Sequence, residues 1–402
     1  MNYLYKLVLA TNNKSLTVPI FTIVFTSLLV FSCESSDINS PQNCDKGYEE
    51  IFDSTYDTSF LGLSGSSSII ELSHGGYLVA GRFYNYSNTA VLVRIDENGN
   101  QVWYKTYNNA FLHSVIETKD NSFVTIGKND NGIYILKIDY EGNILWEINH
   151  NFSYDASSPK VIENKNGNYL IIANSTEANS KAILINISTS GTINWTKLIA
   201  GNGVVKVYSI IENQDSTLNL IGASNVYSTN ESFLLTLDKN GDELQRKSIN
   251  MDLSELSYSS YESSVHQNSL GYYAGCGLDV FILIDPLGSP IIKNKIPESY
   301  KYDGVAAYSL CPYVNNGFIV CGVNTKVVRD DSTQFSYTTY AALFLFDKNG
   351  NYLKSLDVRH NCGFSEATSI ILTKDNSIVF TGSATSCKNN QSSIWIKKIK
   401  IK

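Results

Sequence analysis

The chain has 402 residues, of which 43% are hydrophobic and 12% aromatic, and its formal net charge is −7. An acidic chain without a block of basic residues argues against nucleic acid as a partner and against electrostatic binding to anionic lipid headgroups. The length alone would allow two or three domains, so the number of domains depends on how the sequence is organised.

The first 32 residues differ from the rest of the chain. Lys6 and Lys14 precede an apolar run that ends at Ser32. This run, about 14 residues long, is short for a membrane-spanning helix but typical of a secretory signal peptide. Residues 1–32 are therefore predicted to be a signal peptide.

Cys33 follows the small residue Ser32 directly. This junction resembles a bacterial lipoprotein signal, in which the cysteine becomes the diacylated N-terminus. Glu34 and Asp37 resemble the acidic export tag that directs some lipoproteins of Gram-negative bacteria to the outer face of the outer membrane. The resemblance implies a surface-exposed lipoprotein that contacts the membrane through its lipid anchor only. A plainly secreted protein is the alternative.

Residues 33–46 are polar and rich in Ser, Asn, Pro and Gln, which predicts a flexible tether. Residues 47–402 contain a repeated phrase, first as LVRIDENGNQVW at 92–103 and then as ILKIDYEGNILW at 135–146. The turn glycines of the successive copies are 43, 49, 50, 47 and 62 residues apart; they are Gly99, Gly142, Gly191, Gly241, Gly288 and Gly350. A period in this range is typical of radial or solenoidal repeats, so 47–402 is predicted to be one domain.

Each repeat contains four runs of β-branched and aromatic residues separated by clusters of Asn, Asp and Gly, which predicts four short strands. Four strands in about 45 residues are typical of a β-propeller blade. The inner strands are expected near Ser68, His113, Pro159, Val207, Glu262, Val305 and Ala367. The seventh blade then has three strands, and residues 47–56 are expected to supply its outer strand, with Phe52 in the position of Trp103. The predicted fold is all-β, a seven-bladed propeller; six or eight blades are the alternative.

The segment 96–103 resembles the Trp-docking motif of quinoprotein-like repeats, with one turn residue deleted. The resemblance extends to 139–146, is partial at 191–195, and ends where Gln245, Ile292 and Lys354 replace the tryptophan. Quinone enzymes of that family need metal ligands and adjacent cysteines, and this sequence has no adjacent cysteine pair. Neither a nucleophile elbow nor a P-loop occurs, so no catalytic residue, cofactor or metal is predicted.

Glutamates recur at the end of the first strand of blades one to four: Glu71, Glu117, Glu163 and Glu212. A residue repeated in four blades is expected to serve the blade, and these carboxylates are expected to be solvated. The five histidines are scattered, which favours surface or loop positions over a metal site. Cys362 and Cys387 are expected to form a disulfide, because both lie in connections on one face of the last blade. Cys276, Cys311 and Cys321 are expected to be buried thiols.

The connections on one face of the ring are short and uniform, whereas those on the other face vary from blade to blade. Variable loops on a rigid scaffold are where binding residues concentrate, and Tyr and Arg are frequent anchors of interfaces. The candidate binding residues on this face are Arg82, Tyr84, Tyr86, Tyr258, Tyr261, Arg329, Phe335, Tyr337 and Arg359. The segment 324–340 is expected to be an inserted loop that contributes to binding, or else a disordered surface loop.

Three functional hypotheses follow. The first is a monomeric, non-enzymatic surface lipoprotein that binds a protein or glycan partner through the variable face. The second is an envelope-assembly subunit, resembling the propeller lipoproteins of outer-membrane protein insertion machinery. The third is a quinoprotein-like or carbohydrate-active enzyme module. A propeller fold by itself does not distinguish them.

Overall fold

A computed structural model describes one compact unit, Lys46–Lys402. The described residues are 46–56, 63–84, 89–107, 110–151, 157–175, 181–201, 203–226, 229–257, 264–277, 279–297, 304–329, 335–361, 363–385, 387 and 391–402. The predicted signal peptide and the predicted tether, apart from residue 46, thus lie outside the described residues. No helix in the described ranges has the length and apolar composition needed to cross a membrane.

The described residues form seven antiparallel sheets of four strands each, as predicted. The strands of blades one to three are β2 (Leu63–Glu71), β3 (Tyr77–Tyr84), β4 (Thr89–Ile95), β5 (Gln101–Tyr107); β6 (Ala110–Glu117), β7 (Phe123–Asn129), β8 (Gly132–Ile138), β9 (Ile144–Asn151); β10 (Ser157–Glu163), β11 (Tyr169–Asn174), β12 (Ala182–Ile187) and β13 (Ile193–Ile199). Those of blades four to six are β14 (Val204–Glu212), β15 (Leu218–Val226), β16 (Thr229–Leu237), β17 (Glu243–Ile249); β18 (Ser264–Gln267), β19 (Tyr273–Gly277), β20 (Val280–Ile284), β21 (Pro290–Lys295); β22 (Gly304–Pro312), β23 (Phe318–Arg329), β24 (Phe335–Phe346) and β25 (Tyr352–Asp357). Blade seven contains β26 (Ser365–Leu372), β27 (Ile378–Thr385), β28 (Ser392–Ile401) and β1 (Tyr48–Tyr56).

The seventh blade closes the ring, and its strand order is β1-β28-β27-β26. The prediction that the N-terminal segment supplies the outer strand is confirmed. Gly47 occupies the place of a turn glycine, since its φ of +71° falls in the same left-handed region as the +81° of Gly99. The Lys402 N–H donates to the Gly47 carbonyl at 3.2 Å. The first and last described residues therefore meet where every other blade has a covalent turn.

Seven hydrophobic clusters hold the ring together, and each lies between two consecutive blades. Phe52 and Ile394 of blade seven pack with Val91 of blade one in the cluster that completes the circle. The innermost strands of consecutive blades also contact one another all the way around the ring. Since each blade has little core of its own, stability comes from neighbouring blades, as in other repeat architectures.

The repeated phrase forms the turn between the third and fourth strands and a contact with the previous blade. Asp96 accepts hydrogen bonds from the backbone N–H groups of Asn98 and Asn100 at 2.9 and 2.8 Å, which fixes the turn. The Phe52 ring of the preceding blade packs against the Gly99 turn. The contact is so close that a methyl group added to this glycine would lie 2.7 Å from the ring. Trp146 lies in the same way against Gly191, and Trp195 against Gly241.

The segment 324–340 is not an irregular loop. Strands β23 and β24 both have 12 residues and pair from Phe318↔Phe346 out to Arg329↔Phe335. The prediction of a loop was wrong because it was based on segment length, while the alternating Thr, Val and Tyr residues favour strands. The outer part of β23 and β24 pairs with neither β22 nor β25. Residues 326–329 and 335–340 therefore form a two-stranded extension, which we call the blade-six arm.

Candidate functional site

The propeller has two chemically different faces. The turn face carries the short turns between first and second and between third and fourth strands, from 72–76 in blade one to 373–377 in blade seven. The loop face carries the remaining connections. Of the predicted binding residues, Tyr86, Tyr258 and Tyr261 lie outside the described residues. For four others, at a strand end or in the blade-six arm, the structure describes the backbone but not the side chain: Tyr84, Arg329, Phe335 and Tyr337.

Arg82 lies near the loop-face end of β3, with its guanidinium 4.8 Å from the centroid of the Phe111 ring in blade two. The Lys128 ammonium lies 5.8 Å from the same centroid. Arg82 and Phe111 are both half-buried, and the ring is flanked by two cations. Such cation–π contacts orient a planar guanidinium and an aromatic surface together, which suits recognition of carboxylates, aromatic side chains or sugar rings.

Arg359 belongs to a second cluster, at the base of the blade-six arm. Its guanidinium lies 4.3 Å from the centroid of the Tyr340 ring, and its Nη2 lies 2.9 Å from Oδ2 of Asp357. The buried Asn324 amide donates to the other oxygen of Asp357 at 3.3 Å. The Arg359 side chain is 44% exposed, so it is oriented by two partners yet accessible to a ligand. Arg82 and Arg359 are separated by blade seven and do not form one cluster.

The repeated glutamates were expected to be solvated, and the structure corrects this expectation. The Glu163 carboxylate accepts the Lys119 backbone N–H of the preceding blade at 2.8 Å. Glu212 accepts from Lys165 N–H at 2.8 Å in the same way. Glu117 and Glu71 complete the series, with Ser73 and Lys374 as donors. These bonds join successive turns from blade seven to blade four, so the polar groups of this part of the turn face are largely used in holding blades together.

The histidine and cysteine predictions have mixed outcomes. His360 lies in the connection between β25 and β26, within the predicted surface or loop positions, but it is buried: its ring lies edge-on 5.9 Å from the Trp395 ring, and its Nε2 lies 3.9 Å from Asp53. Cys276, Cys311 and Cys321 are buried free thiols, as predicted. Cys387 is disulfide-bonded. Its predicted partner Cys362 lies outside the described residues, as does Cys33, so both assignments stay predictions.

The innermost strands carry a position that the sequence analysis missed. The residue three places before the end of the innermost strand is serine in six blades and lysine in blade three: Ser68, Ser114, Lys160, Ser209, Ser264, Ser309 and Ser369. The pattern is visible once the repeats are aligned on the ends of these strands. The Ser209 hydroxyl donates to the Val265 carbonyl of the next blade at 2.9 Å, so in blade four this position links two inner strands.

His266 lies near Lys160 on the innermost strands. Its side chain is exposed, yet crowding by protein atoms and the Lys160 charge lower the pKa of His266 to about 4. His266 is therefore neutral near pH 7, where Lys160 supplies positive charge. Among the described residues, no group of three or more His, Cys, Asp or Glu side chains is arranged to hold a metal ion.

No protein-family model matches the sequence, and no curated protein matches it. Similar solved structures include the WD40 β-propeller domain of Doa1, with 12% identity, a TM-score of 0.51, and coverage of 88% of this chain and 97% of that one. A protein of unknown function from Bacteroides caccae has 14% identity, a TM-score of 0.44, and coverage of 73% and 97%. One from Dyadobacter fermentans DSM 18053, also of unknown function, has 10% identity, a TM-score of 0.48, and coverage of 89% and 100%. At these identities, the likeness to the Doa1 domain concerns the fold alone.

Proposed function

We propose that this protein is a non-enzymatic binding or scaffold lipoprotein of the bacterial cell surface, which captures a protein or glycan partner through its loop face. The observation that carries the proposal is the pair of cation–aromatic clusters on that face, around Arg82 and Arg359. Arg and Tyr are over-represented among residues that dominate binding energy, because they combine a large planar surface with hydrogen-bonding groups. The clusters lie in blades one, two and six, so a ligand that engages both must span blade seven.

The blade-six arm adds a second recognition element. Beyond Thr325 and Ala341 the two strands of the arm pair with each other, and among the described residues neither β22 nor β25 pairs with their outer edges. Unpaired strand edges are templates for an incoming extended segment. This feature favours a protein partner for the arm, while the cation–aromatic clusters suit either a protein or a glycan.

The arrangement of the faces supports the same assignment. Glutamate and lysine side chains on the turn face are engaged between blades, as when Lys119 Nζ donates to the Asn164 carbonyl at 2.8 Å. The described chain also begins at the turn face, where Gly47 meets Lys402. A lipid anchor at Cys33, followed by a tether, therefore reaches the propeller at the turn face and leaves the loop face accessible from outside.

Substitution of the two arginines tests the proposal. Arg82→Gln and Arg359→Gln should each weaken capture of a partner about tenfold or more, with little change in melting temperature, since residues that dominate an interface contribute about 2 kcal/mol or more. Capture is measured on a glycan array and in cross-linking pull-downs from native membranes. Arg94→Gln is the matched control, because Arg94 lies 3.7 Å from the Tyr140 ring centroid at the turn face.

Shortening the blade-six arm is the complementary test. Replacement of 326–337 by a Gly-Ser link removes the unpaired edges and leaves the four-stranded blade intact. The melting transition should stay nearly unchanged, and capture of a protein partner should be lost. If both arginine variants and the shortened protein capture the same partner as well as the original, the loop face is not the binding surface.

A further inference from the structure

Three adjoining turns on the turn face carry exposed apolar side chains. Leu270 is 53% exposed, Leu287 72% and Val314 41%. Among the described turns of this face, only these three present large exposed hydrophobic residues. Single exposed leucines are ordinary on protein surfaces, whereas contiguous ones mark an interaction site.

The three turns are in direct contact. The Asn268 amide donates to the Asn316 carbonyl at 3.3 Å, and the Ser269 hydroxyl donates to the Asn316 side chain at 2.6 Å. These bonds join the first turn of blade five to that of blade six. A methyl group on Gly271 would lie 3.2 Å from Pro286, so the two turns of blade five also adjoin. We call Leu270, Leu287 and Val314 the apolar patch.

The apolar patch lies near the point where the described chain begins. Leu356 of blade six lies against Gly47, since a methyl group on this glycine would be 3.1 Å from its Cδ2. Leu353, on the same strand, is 58% exposed. Blade six carries Val314 of the patch and also adjoins Gly47. The 45 residues that precede Lys46 in the sequence include the predicted anchor Cys33.

We propose that the apolar patch inserts into the lipid bilayer that holds the anchor, so that the turn face of blades five and six rests on the membrane. This inference rests on the proposed lipid anchor, and it replaces the expectation that the anchor is the only contact with the membrane. A chain tethered at the turn face holds that face close to the bilayer, and apolar side chains gain free energy by entering it. The contact is apolar, as expected for an acidic chain, and it needs no anionic headgroups. It also directs the loop face away from the membrane.

Fluorescence quenching by bromine-labelled acyl chains tests the insertion. The acylated full-length protein is reconstituted into phosphatidylcholine–phosphatidylethanolamine vesicles, with Leu287→Trp as the probe. Leu145→Trp in blade two is the control, because Leu145 is also largely exposed, at 53% against 72% for Leu287, but lies outside the apolar patch. The four native tryptophans provide the background. The Leu287→Trp signal should be strongly quenched at both low and high salt, and the Leu145→Trp signal should stay at background.

The outcomes separate the patch from the anchor. Vesicle-bound protein in which Leu287→Trp is not quenched, or in which both probes are quenched equally, overturns the insertion while the anchor stands. If the protein does not float with vesicles, the proposed lipid anchor is wrong. In that case the insertion is tested at high lipid concentration: quenching of Leu287→Trp still supports insertion of the patch, and absence of quenching overturns it. A shift from dimer to monomer in Leu287→Ser would assign the patch to a contact between copies of the chain and overturn the lipid assignment.

Discussion

At the scale of residues, Glu163 shows how a surface carboxylate can join two blades. It accepts a hydrogen bond from Lys119 N–H across the blade boundary. Bonds to a charged acceptor contribute about 1.5–3 kcal/mol, and less where water has access. We expect Glu163→Ala to lower the free energy of unfolding by about 1 kcal/mol. Glu141→Ala, in an exposed turn of blade two, should change it by less than about 0.5 kcal/mol. Equal effects in denaturant titrations would show that the bond contributes nothing.

The signal for these bonds was present in the sequence but was not used. Glu117 and Glu163 are each followed two residues later by a lysine, and each glutamate bonds a turn residue that lies 44 positions earlier, close to the repeat length. Local patterns place the glutamate at a strand end correctly. They do not show that the next turn of the ring comes within hydrogen-bonding distance, because this depends on how blades pack.

The pair of Asp120 and Lys137 gives a pH dependence. The Lys137 ammonium lies 2.7 Å from Asp120 and is buried, with 4% of its side chain exposed. Burial raises the pKa of Asp120, but hydrogen bonds from Lys137 and Thr118 outweigh this effect and lower the pKa to about 2. A lowered carboxyl pKa contributes stability above the unfolded value of about 4, and this stability is lost as the pH falls towards 2.

We therefore expect the melting temperature to fall more steeply between pH 4 and pH 2 in the original protein than in Asp120→Asn. The variant lacks this titrating group, so its curve should start lower at pH 5 and converge with the original near pH 2. Thermal melting followed by circular dichroism measures both curves. Parallel curves over this range would contradict a coupled pair.

At the scale of elements, the closure strand β1 is held by a buried charge cluster as well as by its backbone pairing. Asp53 accepts from Trp395 Nε1 at 2.6 Å and from Lys397 Nζ at 2.8 Å, and Glu50 lies 3.0 Å from the same ammonium. Only 2% of the Lys397 side chain is exposed. Removal of one partner leaves a buried charge less compensated, which is strongly destabilising.

We expect Asp53→Asn to lower the free energy of unfolding by about 3 kcal/mol, at the lower end of the range for buried pairs because Glu50 remains. The control is Asp242→Asn. Its carboxylate lies 2.6 Å from the Lys197 ammonium, at least as close as in the buried pair, but both side chains are exposed, so the expected loss is below about 1 kcal/mol. Urea unfolding measures both variants. Similar losses in the two would mean that burial of the cluster does not stabilise ring closure.

The closure strand and the blade-six arm differ in how well the sequence predicted them. Phe52 could be assigned because a tryptophan recurs at this position in blades one to three, where it lies against the turn glycine of the next blade, so the missing strand has a template in Trp103 and Trp146. The arm occurs once and has no template in the other blades. Only the alternation of residues in the arm indicates its two strands. The length of the segment favours a loop, and a loop was predicted instead.

At the scale of the whole molecule, the ring has a defined polarity along its axis. The first described residues lie at the turn face, where Gly47 completes the open turn with Lys402, and the arm and both arginine clusters lie towards the loop face. Repeat periodicity predicts this ring and its two faces, because blade packing follows from strand order. It does not predict a ligand, since binding residues occur once each and therefore leave no periodic signal.

An anchor at Cys33 would convert this polarity into an orientation at the cell surface. We expect Cys33→Ala to move the processed protein from the membrane fraction to the soluble fraction. Without the anchor only the three side chains of the apolar patch would contact the bilayer, and membrane binding through so few apolar groups is weak and reversible. Incorporation of a labelled fatty acid should be lost in the same variant. Cys44→Ala is the control, since Cys44 lies beyond the signal junction in the predicted tether and should leave both readouts unchanged. Tight membrane association of processed Cys33→Ala protein after a high-salt wash would contradict the anchor. The propeller would then be held to the membrane by its turn face or by a membrane-embedded partner.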